Sequence, residues 1–418
     1  MMKRFNTTGL CVPEQDYMVD LRGRLEQIKE MVDKGDYFTI NRGRQYGKTT
    51  TLNELEKRLS GEYVCALMSF EGRGANFETE PAFCLAFLRR MKKALRFSSI
   101  KGDTDYIDRW LDETVTDFDA LDEHITKLCE GKYIVLMIDE VDRSSDYYTF
   151  INFLGMLRDK YLRQKAGRDF SFHSVILAGV HDIKNVKFKM IQQGMYTPQP
   201  SEGVVYNSPW NIAANYEVDM AFNPDDIASM LSEYVEEQHT PMDIAAIARE
   251  IYAYSGGYPF LVSRLCQLID EKLDKDWTMN GVQAAVMMVL SEQNTLFDDM
   301  IKNLEIYNDL YQFIYELLIV GEKKLNSIQD PVVNRALMFC FLKRLDDKQV
   351  VIHNRIFEII ISKYMVTKDA REGKKRISGV LKQDVARDGR FDMELCLRKF
   401  ARHYRELFNE DDLAFLER

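Results

Sequence analysis

At 418 residues the chain has room for two or three domains with packed cores, which excludes a peptide hormone or a disulfide-stapled miniprotein. A content of 46% hydrophobic, 11% aromatic and 29% charged residues, with 22 Gly and 9 Pro, excludes wholesale disorder. The net charge of -10 excludes a molecule that grips phosphate backbones over its whole surface, so any nucleic-acid contact must be local.

Residues 19–33 place Leu21, Leu25, Ile28, Met31 and Val32 at helical spacing, and Gly35 and Asp36 break that pattern ahead of a strand over 37–40. A helix opens near Lys48, and further apolar runs at 63–70, 133–138 and 174–179 read as strands. Short runs bounded by turn residues and separated by long helical patterns indicate parallel strands joined by crossover helices, so residues 1–222 read as an α/β sheet domain. From Asn223 the string NPDDIASMLSEYV supplies a capping side chain, Pro at the first helical position and acids in the first turn. Residues 223–295 therefore read as a small helical domain, interrupted at Ser255-Gly-Gly-Tyr-Pro259. Helices over 307–320 and 331–345, a strand at 349–353 and another apolar helix give a winged helix over 296–366. Residues 367–418 are left as a linker and a C-terminal helix. The amphipathic pattern of that helix, over 391–418, reaches Arg418 without a stop signal, so the natural chain is expected to continue.

No apolar run approaches the roughly 20 residues needed to span a bilayer, and the amino terminus lacks the continuous apolar stretch of a secretory signal. The seven cysteines are scattered and never in CxxC pairs, so they read as reduced core residues of a cytoplasmic protein with no membrane partner.

The segment Thr39-Ile-Asn-Arg-Gly-Arg-Gln-Tyr-Gly-Lys-Thr-Thr leaves a buried strand, crosses a Gly-containing loop and enters a helix at Lys48. Backbone N–H groups converging beneath a helix amino terminus cradle triphosphate oxygens, Lys48 reaches the β and γ groups, and Thr49 can ligate Mg²⁺. In the usual G-x-x-x-x-G-K-[ST] pattern the first Gly falls at position 42, where this chain has Arg42, with Gly43 one residue late. The candidate nucleotide contacts are Gly43, Arg44, Gln45, Tyr46, Gly47, Lys48, Thr49 and Thr50. A second signature, Ile134-Val-Leu-Met-Ile-Asp-Glu, is an apolar strand ending in two acids. Asp139 suits the metal's coordination shell, and Glu140 suits polarisation of an attacking water. The guanine-reading pattern Asn/Thr-Lys-x-Asp is not evident, which favours ATP over GTP.

These residues resemble the prokaryotic P-loop ATPases of the AAA-like and STAND type, whose loop reads R-x-x-G-K-[ST], over roughly residues 10–366. The resemblance implies an α/β P-loop sheet with helices on both faces, followed by a helical lid (223–295) and a winged helix. It also implies that the Gln15–Arg22 stretch packs against adenine and that His181 or Asp182, ending the 175–180 strand, feels the γ-phosphate. Pro259, in the lid motif, would approach the base. Ring-forming motors place an arginine finger after that strand, yet residues 179–222 contain no Arg; Arg143, Arg158 or Arg264 could supply the charge instead. Members of the group often carry a PD-(D/E)XK nuclease domain, a module expected, if present, beyond Arg418; here the nearest string, Asp270-Glu-Lys, lies in a helical pattern.

The expected function is thus an ATP- and Mg²⁺-binding switch that hydrolyses slowly and exchanges ATP for ADP, with Lys48, Asp139 and Glu140 as its catalytic residues. The alternative is a DNA-binding winged-helix protein whose nucleotide site regulates DNA or nuclease-partner engagement, with Lys343, Arg344 and Arg355 as contacts. A protein partner through the winged helix and C-terminal helix is the competing use of the same surfaces. The mostly apolar 331–345 helix favours a packing role over groove reading.

Overall fold

Four apolar runs become four parallel strands in a computed structural model of the chain. It describes residues 2–70, 77–98, 115, 117–141, 148–180, 210–216, 218–322, 324–327, 329–345, 348–371, 386–387, 390–391 and 393. The chain divides into two units, Met1–Glu292 with Met338–Cys340, and Gln293–Leu337 with Phe341–Arg418. Among the described residues no helix is long and apolar enough to cross a membrane.

The first unit opens with α1 (Arg22–Asp33), β1 (Tyr37–Asn41), α2 (Lys48–Leu59), β2 (Val64–Ser69) and α3 (Glu80–Phe97). It continues with α4 (Phe118–Cys129), β3 (Ile134–Asp139), α5 (Tyr148–Lys165) and β4 (Ser174–Gly179). The sheet order is β1-β4-β3-β2, all parallel, with Tyr37 opposite Val175, Leu136 opposite Val175 and Val64 opposite Ile134. An isolated parallel bridge between Phe38 and Ala214 extends it beyond β1. Every residue of β3 and β4 is buried, as a continuous apolar run demands when both faces are covered. Ala66, Leu136, Ile138 and Leu177 face a core filled from α3, α4 and α5, where Phe83 and Phe87 lie 4.9 and 5.0 Å from Phe153. The alternate residues Cys65, Val135 and Met137 are buried as well, and α2 packs against β2 and β3. The α/β fold class with helices on both faces is thus as expected.

Four more helices follow among the described residues of this unit: α6 (Pro224–Gln238), α7 (Ile244–Ser255), α8 (Pro259–Lys272) and α9 (Met279–Ser291). The Asn223 cap, the proline and the first-turn acids read from the sequence are all present at α6, and Asn223 and Asp226 go further and form a reciprocal capping box. Between α7 and α8 the backbone at Gly257 is left-handed (φ +73°), and a Cβ there would meet the Phe222 carbonyl oxygen at 1.9 Å. Only glycine fits, and the Phe222 N–H donates to the Gly257 carbonyl at 2.8 Å, pinning the start of the helical region to its middle. The N-terminal segment is anchored by Phe5 and Tyr17, whose rings each lie 5.3 Å from that of Tyr234.

The second unit holds α10 (Thr295–Ile306), α11 (Asn308–Tyr315) with a π-helical turn over Glu316–Val320, β5 (Lys324–Leu325) and α12, which starts at Pro331. Then come β6 (Leu342–Arg344), β7 (Gln349–Ile352), α13 (Arg355–Arg371) and the hairpin β8 (Ala386–Arg387) and β9 (Arg390–Phe391). The antiparallel order β5-β7-β6 following helices is the element order of a winged helix. The helix expected over 331–345 ends at Met338. Cys340 is left-handed (φ +60°), and Leu342, Lys343 and Arg344 pair with Ile352, Val351 and Val350. Burial of Phe341 and Leu342 and strand pairing outweigh the helical spacing there. Lys343 and Arg344 therefore sit on a strand and not on a recognition helix. The helix expected over 391–418 lies outside the described residues except for Phe391, which is in β9, and Met393.

Candidate nucleotide site

The loop between β1 and α2 begins where Arg42 N still donates to the Gly179 carbonyl at 3.1 Å, so Arg42 prolongs the strand and the turn starts after it. That accounts for the displaced first glycine. Gly43 is not left-handed; a Cβ there would stand 3.1 Å from Cys340 Sγ and 3.2 Å from Tyr258 Oη, a tight fit that glycine avoids. The left-handed residues are Gln45 (φ 54°) and Gly47 (φ 78°), and Gly47 is the N-cap of α2.

Side chains of Thr79, Asp117, Asn223, Asp243, Thr278 and Asn294 cap α3, α4, α6, α7, α9 and α10, whereas α1, α2, α8 and α11 have no such cap. No side chain caps α2 and its first turn holds no acid, which leaves its leading N–H groups and positive dipole end for an anion. Lys48 is buried, and its Nζ donates to the carbonyls of Arg42 at 3.0 Å and Gly43 at 2.8 Å. Thr49 Oγ1 donates to Asp139 Oδ2 at 2.6 Å, while Asp139 Oδ1 accepts from the Glu140 N–H at 2.9 Å. Although β4 separates β1 from β3, the crossing of α2 over the sheet brings the Lys-Thr pair to the carboxyl end of β3. Glu140 is half-buried in a left-handed conformation (φ 57°), a strained backbone directly after the strand. Thr50 Oγ1 accepts from Cys11 N at 3.2 Å, tying the N-terminal segment to the loop.

Beside the loop opens a cavity of about 910 Å³ including its mouth, bounded by Thr8, Val19, Tyr46, Thr50, Met230 and Pro259 among others. Tyr258 donates its hydroxyl to the Arg44 carbonyl, and its ring meets that of Tyr46 edge-on at 4.8 Å. Burial pushes the hydroxyls of Tyr46 and Tyr258 well above the usual tyrosine range, so both stay neutral. Of the candidates read from the sequence, Gln45, Tyr46, Gly47, Thr50 and Pro259 line the cavity, as do Tyr17, Met18, Val19 and Leu21 of the Gln15–Arg22 stretch. No sequence signal pointed to residues 6–9, Cys11, Arg24 or Tyr216, which also line it. His181, Asp182 and Arg143 lie outside the described residues. Arg158 is held by Asn211 Oδ1 at 2.8 Å, and Arg264 by Gln267 at 2.7 Å and Glu292 at 3.1 Å. Asp270, Glu271 and Lys272 fall within α8, where Asp270 accepts from Tyr234 Oη at 2.6 Å.

The sequence matches no protein-family model and no curated protein. The solved structure of a Walker-type ATPase of Pyrococcus abyssi is similar over 86% of this chain and 99% of that one, at 11% identity and a TM-score of 0.56. The ADP form of the Aeropyrum pernix ORC2 protein is similar over 86% and 97%, at 13% identity and a TM-score of 0.42. The Thermotoga maritima RuvB Holliday junction branch migration motor is similar over 80% and 92%, at 12% and 0.39. With the strand–loop–helix at Lys48 and the acid-ended β3, the first likeness gives this chain the fold of a P-loop ATPase.

Proposed function

We propose that the chain binds ATP with Mg²⁺ at its β1–α2 loop and hydrolyses it slowly, acting as a cytoplasmic nucleotide switch of the STAND kind. The observation that carries this reading is the 2.6 Å bond between Thr49 and Asp139 at the uncapped start of α2, one residue from a buried lysine. The backbone N–H groups from Gly43 to Thr50 would hold the phosphates, and Lys48 would exchange its two loop carbonyls for phosphate oxygens. Thr49 and Asp139 would hold Mg²⁺. Both donors are hard oxygens, so the pair suits a cation that takes its remaining ligands from phosphate and water. Mg²⁺ bound there supplies charge neutralisation to the phosphate oxygens. Glu140, next to Asp139, would accept the proton of the attacking water.

A nucleotide base in the cavity would touch both the sheet region and Pro259, which couples occupancy to the proposed lid (223–295), with 296–366 as the output domain. The cytoplasmic setting agrees with the six free cysteines among the described residues. In the test, Lys48→Ala abolishes phosphate release, whereas Glu140→Gln binds ATP without turning it over; undiminished turnover in Glu140→Gln removes that residue from the mechanism.

A second reading, DNA engagement through the wing, is favoured by one observation: Arg344 stands exposed on β6, with the half-buried Lys343 on the other face of the strand. Duplex binding at low salt that is lost on neutralising both residues would establish it.

A further inference from the structure

Two residues lining the cavity carry a buried polar atom with no hydrogen-bond partner among the described residues: Arg24 Nη1 and Tyr216 Oη. The rest of the Arg24 guanidinium is committed, Nε to the Asp219 carbonyl at 3.0 Å and Nη2 to the Ala221 carbonyl at 2.8 Å and to Asp226. It also lies 5.5 Å from the Phe222 ring centre, so its head cannot swing away. Tyr216 is held as firmly, stacked on Phe38 at 5.9 Å and 4° and packed against Arg42 at 5.6 Å. Each unmet group carries a desolvation cost that something entering the cavity would relieve. The neighbouring walls, Met18, Val19, Met220 and Met230, are apolar and suit the faces of a flat ring.

We propose that Arg24 and Tyr216 read the base of the bound nucleotide, Arg24 Nη1 donating to a ring nitrogen of adenine and Tyr216 Oη accepting from its exocyclic amine. The inference rests on the ATP site proposed above. One donor beside one hydroxyl matches the adjacent acceptor and donor of adenine. Guanine reverses that edge, with a carbonyl oxygen in place of the amine and an N–H in place of the ring acceptor, so Arg24 Nη1 would face another donor. The two residues come from separate stretches of the first unit, α1 and the segment after the Ala214 bridge.

The experiment is a titration, with Mg²⁺, of ATP, GTP, purine riboside triphosphate (which lacks the amine) and inorganic tripolyphosphate into wild-type, Tyr216→Phe, Arg24→Lys and Lys48→Ala proteins. Tyr216→Phe keeps the ring and its packing. It should weaken ATP by about tenfold, bringing it level with purine riboside triphosphate, whose own affinity stays put. Arg24→Lys keeps the charge facing Asp226 and should weaken both purine compounds, while tripolyphosphate binds every variant but Lys48→Ala as it binds wild type. ATP affinity unchanged in both base-site variants, or an equal loss for ATP and purine riboside triphosphate in Tyr216→Phe, overturns the assignment while leaving the phosphate site standing. Wild-type protein that binds neither ATP nor tripolyphosphate overturns both.

Discussion

Replacing Thr49 by Val removes one hydroxyl and keeps the side-chain shape. Asp139 is 5% exposed and accepts from Thr49 Oγ1 at 2.6 Å and from Glu140 N at 2.9 Å, so the substitution strips one of the two donors that hold it. A hydrogen bond to a charged group contributes about 1.5–3 kcal/mol, and because Thr49 itself is exposed, water can replace the hydroxyl in part, which places the loss near the lower bound. At about 2–4 °C per kcal/mol for a unit of this size, the ligand-free midpoint should fall by about 3–6 °C. The second effect separates a metal ligand from a structural contact. If Thr49 also holds Mg²⁺, the shift that saturating ATP and Mg²⁺ give the wild-type midpoint should shrink in Thr49→Val, and chelation of Mg²⁺ should make the two proteins respond alike. Thermal denaturation in three buffers, with no nucleotide, with ATP and Mg²⁺, and with ATP and chelator, reads both effects. A Thr49→Val protein with the wild-type midpoint and the full wild-type shift would refute the reasoning.

Glycine positions give a graded comparison. Gly47→Ala should cost about 1–2 kcal/mol, because φ is +78° but no atom stands within 4 Å of the new Cβ, whereas Gly257→Ala drives its Cβ to 1.9 Å from a backbone oxygen and should prevent folding; midpoints of equal size would contradict this. Burial lowers the pKa of His173 below the usual 6.5, so the fold binds its neutral form. Stability is therefore present above pH 6.5 and lost as pH falls below it, and pH-dependent melting of His173→Phe should show a flatter slope than wild type just below that value. Single-turnover measurements on Glu140→Gln should find bound ATP uncleaved, in contrast to Asp139→Asn, which should lose the Mg²⁺ dependence of ATP binding as well.

The sheet was legible because parallel strands buried on both faces must be continuously apolar, and IVLMI and VILA are apolar without interruption. The α6 start was equally plain, since a cap, a proline and an acid at fixed offsets are local chemistry. Local chemistry failed at 331–345, where spacing alone favours a helix and pairing of Leu342–Arg344 with β7 decides otherwise. For the site, the lysine, threonine and acid pair could be named from their neighbours in sequence, but not the 2.6 Å contact that unites them across 90 positions. Arg24 sits in a helical pattern where an arginine ordinarily means a solvated face, and Tyr216 follows a short bridge with no periodicity; only the folded chain shows that both border one cavity.

The most direct measurement of the central claim is calorimetric titration of ATP with Mg²⁺ into wild-type and Lys48→Ala proteins of matched thermal stability. One equivalent of ATP should bind the wild-type chain, with affinity reduced when Mg²⁺ is withheld and abolished in Lys48→Ala. Equal binding by both proteins, or no heat from the wild-type chain, would contradict a triphosphate site at the start of α2.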